Sequence, residues 1–110
     1  MAELTVTRRR RRAPTHSGAL MREILDDHVR LPVAQAARRM QVSRQSLHAV
    51  LVGRSAVTAD MALRFARLIG GAPELFLRMQ ANHDLWHARQ KLAPVLTRIA
   101  PVLTRIAPAA

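Results

Sequence analysis

Residues Val33 to Gly53 read VAQAARRMQVSRQSLHAVLVG, two short amphipathic segments joined by a three-residue link. Val33, Ala36, Ala37 and Met40 recur at helical spacing, and Pro32 suits the first turn of that helix. Leu47, Val50 and Leu51 give a second apolar stripe; Ser43 can accept the free amides at its start, and Gly53 can stop it in a left-handed conformation. Met40, Gln41 and Val42 form the turn, with Ala37 where two steeply crossing helices must approach closely and Val42 filling the wedge beneath. This is the spacing of a helix-turn-helix, in which the second helix enters a DNA major groove N-terminus first. The residues expected to be exposed at that end are Arg44, Gln45, Ser46, His48 and Ala49. Arginine can bond bidentately to guanine and glutamine to adenine, so Arg44 and Gln45 are the expected base readers. Ser43 and Arg54 are placed for phosphates.

Helical punctuation continues on both sides of this unit. Leu20, Ile24, Leu25 and Val29 keep to one face of a first helix, with Ser17 ahead of them as a cap. Thr58 can cap a fourth helix carrying Met61, Ala62, Phe65, Leu68 and Ile69, closed by Gly70 and Gly71. Pro73 opens a fifth segment with Leu75, Phe76, Met79, Leu85, Trp86 and Leu92, and Asn82 reads as a break or cap within it. No alternating two-residue pattern of useful length appears, so the expected fold is all-α with five helices.

The 110 residues suit one domain, and 49% hydrophobic against 23% charged residues suits a compact core. Composition divides the chain into a basic arm (1–17), a helical domain (18–92) and a tail (93–110). The arm carries Arg8, Arg9, Arg10, Arg11 and Arg12, which repel one another and are expected to be disordered until they follow a DNA backbone or narrow minor groove. The tail holds a direct repeat: PVLTRIA over Pro94 to Ala100 is copied as Pro101 to Ala107, with prolines that oppose one uninterrupted helix. Lys and Arg total 18 against 7 Asp and Glu, a net charge of +11, so a polyanion is the first partner to expect. Three aromatic residues are too few for a carbohydrate or single-strand stacking platform. The chain has no cysteine, no apolar run of membrane-spanning length and no apolar segment behind the arginine run. A cytoplasmic protein without membrane contact is the default expectation.

Catalytic chemistry finds little support. His83, Asp84 and His87 lack a further acid or histidine at zinc-ligand spacing, so no metal site is expected. No ordered Ser, His and Asp set, no oxyanion turn and no phosphate-cradling glycine motif is present, and neither an enzyme nor a cofactor is expected. A single recognition helix reads too few base pairs to find an operator, which calls for a homodimer. Leu75, Phe76, Leu85 and Trp86 are the largest apolar groups after the helix-turn-helix and are its interface candidates. Glu23, Asp26 and Asp27 cluster on the first helix, the two aspartates toward the end where the helix dipole disfavours them, so a basic partner surface could complete their pairing.

Two stretches, VAQAARRMQVSRQSLHAVLVGRSAVTADMALRFARLIG (Val33 to Gly70) and APELFLRMQANHDLWHAR (Ala72 to Arg89), resemble the HigA-type antitoxins, a branch of the lambda-repressor-like (XRE) helix-turn-helix family. The combination of SAVTADMALRFARLIG with PELFLRMQANHDLW is typical of that branch. The resemblance implies a five-helix domain that dimerises on palindromic double-stranded operator DNA and represses its own operon. It also implies a cognate HigB-like toxin, a small basic protein resembling the RelE-type messenger-RNA endonucleases. Arg44 and Gln45 fall on the family's base-reading positions, Ser43 on a phosphate-contacting cap and Arg54 on a basic phosphate contact. Val33 stands where glutamine is common in the wider family, Val52 where asparagine is frequent, and His83 where tyrosine is frequent. A stand-alone repressor of the same fold is the alternative, distinguished by whether a small basic reading frame adjoins the gene; a nonspecific architectural binder driven by the arm would lack operator preference.

Overall fold

The structure, a computed structural model, describes residues 12–103; Arg8, Arg9, Arg10 and Arg11 lie outside the described residues, as does most of the second repeat copy. Five α-helices follow in order: α1 (Ser17–Glu23), α2 (Val33–Met40), α3 (Arg44–Leu51), α4 (Ala59–Ile69) and α5 (Pro73–Leu96). A π-helical turn, Ile24–Val29, continues α1, and no strand occurs among the described residues.

The first helix starts one residue away from expectation. His16 is the extended N-cap, its Nδ1 accepting from the Gly18 amide at 2.9 Å, while Ser17 lies inside the helix and is fully buried. The cause is a close approach: a Cβ on Gly18 would fall 1.9 Å from the Val50 carbonyl oxygen, so α1 sits against the last turn of α3 at a distance only glycine permits. Residues 17 and 18 are thereby drawn into the interior. Val29 also departs from its expected inward position and is 40% exposed. Bonding from residue i to i+5 widens the helix and carries Val29 off the stripe set by Leu20, Ile24 and Leu25. Arg30, at φ 55°, closes that turn, and the Leu31 amide bonds the Leu25 carbonyl at 3.0 Å.

The core is drawn from every helix: Met21 and Leu25, then Ala36, Ala37 and Met40, then Leu47, Val50 and Leu51, then Met61, Ala62 and Phe65, then Phe76. Ala37 is nearly inaccessible, and α2 packs against both α3 and α4. Thr58 caps α4 through Met61, and Gly53 and Gly70 end α3 and α4 with φ of 82° and 80°. Phe65 and Phe76 meet edge to face with centroids 5.3 Å apart, the arrangement that favours the ring quadrupoles and joins α4 to α5.

Asn82 does not break α5. Its side chain is exposed, and an asparagine in a solvated helix costs about 0.7 kcal/mol or less, too little to end a helix of 24 residues. The helix runs past Leu92 and takes in Pro94 before stopping at Leu96, where the Thr97 hydroxyl donates to the Pro94 carbonyl at 2.8 Å. Only Phe76 and Gln80 are buried along its length.

Candidate nucleic-acid interface

The start of α3 is organised by Ser43. Its hydroxyl accepts from the Ser46 amide at 3.0 Å and donates to the Ser46 hydroxyl at 2.7 Å, and its carbonyl accepts from the Leu47 amide. The Ser43 proton is therefore used internally, and the Ser46 hydroxyl keeps its own proton for an outside acceptor such as a phosphate. Arg44, Gln45 and His48 are exposed and line one shallow depression. Among the described residues no side-chain hydrogen bond or ion pair engages them. Ala49 is half-buried rather than exposed, because its carbonyl is turned to the loop beyond the helix. There it accepts the amides of Arg54 at 2.8 Å and Ser55 at 3.2 Å, which fixes the exposed Arg54 one turn past α3.

Charge on this unit is of one sign. From Val33 to Thr58 the chain carries Arg38, Arg39, Arg44 and Arg54 and no aspartate or glutamate. A surface with free guanidinium and amide forks, a capped helix start and no local acid can meet phosphates and base edges without first breaking bonds of its own.

Three contacts that were not expected from the sequence hold this unit in place. Gln80 of α5, nearly buried, accepts the Val57 amide at 2.8 Å and donates to Asp84 at 2.9 Å, tying the loop after α3 to α5. Arg64 of α4 donates to the carbonyls of Met40 and Gln41 at the turn. His16 caps α1 beside Gly53 and Ser55, with its ring edge-on to His83 at 4.9 Å. A glutamine and an arginine inside otherwise regular amphipathic helices carry no local signal of such long-range roles. The histidines at 16, 83 and 87 come together in space, yet no group of three His, Cys, Asp or Glu is placed to hold a metal among the described residues.

The remaining expected sites lie elsewhere on the domain. Glu23, Asp26 and Asp27 are exposed around the π-helical turn, and Asp26 pairs with Arg22 at 3.1 Å. Phe76 is 1% exposed and packs on Phe65, which removes it from the dimer candidates: its ring is spent on the monomer core. Leu75 and Leu85 are exposed and Trp86 is half-buried. Arg12, the one arm arginine described, is exposed.

The fold recurs among solved structures. An addiction-module antidote protein of the HigA family from Coxiella burnetii superposes with a TM-score of 0.74 at 28% identity, over 82% of this chain and 99% of that one. The chain belongs to the HigA family of helix-turn-helix antitoxins. The antitoxin HigA of Pseudomonas aeruginosa, in a structure with the higBA promoter, matches at TM-score 0.69 and 25% identity, over 82% of this chain and 99% of that one. By sequence, virulence-associated protein I of Dichelobacter nodosus is 32% identical over 75 residues, 68% of this chain and 69% of that protein. No family model matches the chain. The two superposed HigA structures share this fold over nearly their whole length, and no helix among the described residues of this chain is long and apolar enough to cross a membrane.

Proposed function

We propose that this HigA-family chain is an autorepressing antitoxin. As a homodimer it binds a palindromic operator through α3 of each copy, and it neutralises a small basic HigB-like toxin by direct contact. The observation that carries the DNA half is the start of α3, where Arg44 and Gln45 stand free beside a cap closed by Ser43 and Ser46. Arg44 and Gln45 read base edges, while Ser46, Arg54 and the arm from Arg8 to Arg12 bind phosphates. A Pseudomonas relative in a structure with promoter DNA supports this reading.

The toxin half rests on Glu23, Asp26 and Asp27, of which Arg22 pairs with Asp26 and leaves the other two without an ion pair among the described residues, and which lie on a different element from α3. For the dimer, Leu75, Leu85 and Trp86 remain the candidates, and the apolar strip continues from Leu85 through Leu92 and Val95. The deciding experiment measures binding to the DNA upstream of the gene and to random duplex at several salt concentrations, with pull-down of the product of the adjacent reading frame. Preference for the upstream DNA with capture of the adjacent product is expected. Equal affinity for both duplexes overturns the operator reading, and no capture of the adjacent product overturns the antitoxin role while leaving a stand-alone repressor.

A further inference from the structure

Arg64 is committed to a part of the molecule far from it in sequence. Its Nη1 donates to the Met40 carbonyl at 2.7 Å and to the Gln41 carbonyl at 3.1 Å, and its Nε is held by the Asp60 carboxylate one turn earlier on α4. Both carbonyls belong to the C-terminal end of α2, where backbone acceptors lack an in-helix donor and the dipole is negative. Gln41 there has φ 60° and ψ 44°, the left-handed region that a residue with a Cβ enters at a cost. Three residues later comes Arg44.

Little else restrains this turn. The buried residues of α2 and α3 end at Met40 and resume at Leu47, and between them only Val42 is even half-buried. Apart from Arg64, the turn has the Gln41 amide on the Arg38 carbonyl and the Val42 amide on the Ala37 carbonyl, both local to α2. Val42 packs against the core, and among the described residues the hydrogen bonds that reach the pivot between α2 and α3 from another helix are those of the Asp60-held guanidinium.

Resting on the operator reading above, we infer that Arg64, oriented by Asp60, is a positioning residue for operator recognition: it fixes the turn, and so the angle at which α3 offers Arg44 and Gln45, without touching bases. A merely structural arginine would alter stability and weaken all DNA alike; a lost phosphate contact would also weaken all DNA alike. Positioning instead changes the ratio of operator to random affinity.

The test uses the full chain and the duplexes already described. Arg64→Ala is expected to lower the operator-to-random affinity ratio about tenfold while changing random-duplex affinity less than threefold, and to speed hydrogen exchange of the Gln41 and Val42 amides in the free protein. Arg64→Lys keeps the charge but cannot hold two carbonyls and a carboxylate together, and should lose the ratio almost as far. Adding Gln41→Gly to Arg64→Ala should recover most of the ratio, because glycine takes the left-handed conformation freely. If Arg64→Ala does not fold, Asp60→Asn, which frees the guanidinium, reads the same quantity. A ratio unchanged within twofold in the folded variants, or unaltered exchange at Gln41 and Val42, overturns the positioning role. A wild-type protein that does not distinguish the duplexes overturns the operator reading and this role with it, and the exchange data then show separately whether the clamp holds the turn.

Discussion

The first turn of α3 and the second half of α5 both face solvent, but their surroundings differ. Arg44, Gln45 and His48 extend polar ends from a helix whose far side is buried, whose start is capped and whose flanking turn and loop are tied to α4 and α5. From Arg89 on α5 to Val102 beyond it every residue is exposed, and Leu85, Leu92 and Val95 present carbon to water. The first surface is ready-made for a hydrated, charged partner, since rigidity before contact lowers the ordering cost of binding. The second is an apolar strip at alternating steps of three and four: Leu85, Ala88, Leu92 and Val95 lie in the register that lets two helices interlock side chains.

The strongest way to break the contrast is to disturb what pins α3. Gly18 allows α1 to touch the Val50 carbonyl, and any Cβ there would collide with backbone rather than with a side chain that could swing away. Gly18→Ala is expected to lower stability by about 3 kcal/mol, at the upper end of overpacking effects. Urea denaturation read by helical circular dichroism checks this; a loss under about 1 kcal/mol would mean that α1 can slide off α3 without penalty, and the pinning would be weaker than the geometry implies.

Next in size is the polar surface itself. Arg44→Ala or Gln45→Ala should cost about 1 to 3 kcal/mol on the operator and much less on random duplex. Arg54→Ala should weaken both by similar amounts and flatten the salt dependence by about one charge. Fluorescence anisotropy over a salt series reports both quantities. Equal losses on the two duplexes from all three variants would remove the base-reading assignment.

The apolar strip answers in the opposite way. Leu92→Ser removes a leucine that supports nothing in the monomer, so monomer stability should move by less than about 0.5 kcal/mol. If the strip is the dimer seam, the same change together with Leu85→Ser should shift sedimentation from the two-copy to the one-copy mass. An unchanged mass with the fold intact would place the seam elsewhere, with Leu75 and Trp86 the remaining candidates on α5.

The frame was legible because each helix announces itself locally: Ser43, Thr58, Gly53 and Gly70 do at their helix ends what their side chains, or the lack of one, dispose them to do. The exposed forks of Arg44 and Gln45 followed from the same spacing. What was not legible depends on distance in the chain. Arg64 and Gln80 bond backbone groups more than twenty residues away, and nothing about an arginine or a glutamine on a helix tells which carbonyl or amide it will find. Gly18 carries no local sign that the Val50 carbonyl comes against it. Val29 was misplaced because a π-helical turn changes the period on which its burial had been counted.

The smallest expected effect concerns pH, and it bears on how firmly the loop beside α3 is held. His16 caps α1 by accepting the Gly18 amide on Nδ1, which requires that nitrogen to be unprotonated. Burial, and after it the nearby His83, pushes the His16 pKa below its ordinary 6.5, with Asp84 and the Ser55 backbone opposing without prevailing. As pH falls below 6.5 the unfolded chain therefore takes up a proton that the folded chain still refuses. The unfolded state binds more protons in that window, so this contribution to stability is complete above 6.5 and is lost as pH falls toward the lower folded value. His16→Asn keeps an acceptor suited to an N-cap but cannot titrate. The drop in melting temperature between about pH 7.5 and about pH 5.5 should accordingly be smaller in His16→Asn than in the wild-type protein. At about pH 5.5 the Ser55 amide should also exchange faster in the wild-type protein than in His16→Asn, since it is bonded to Ala49 at the end of α3 beside the His16 ring. An equal drop in both proteins would show that the acid sensitivity does not pass through His16, and would leave α3 pinned by Gly18, Arg64 and Gln80 alone.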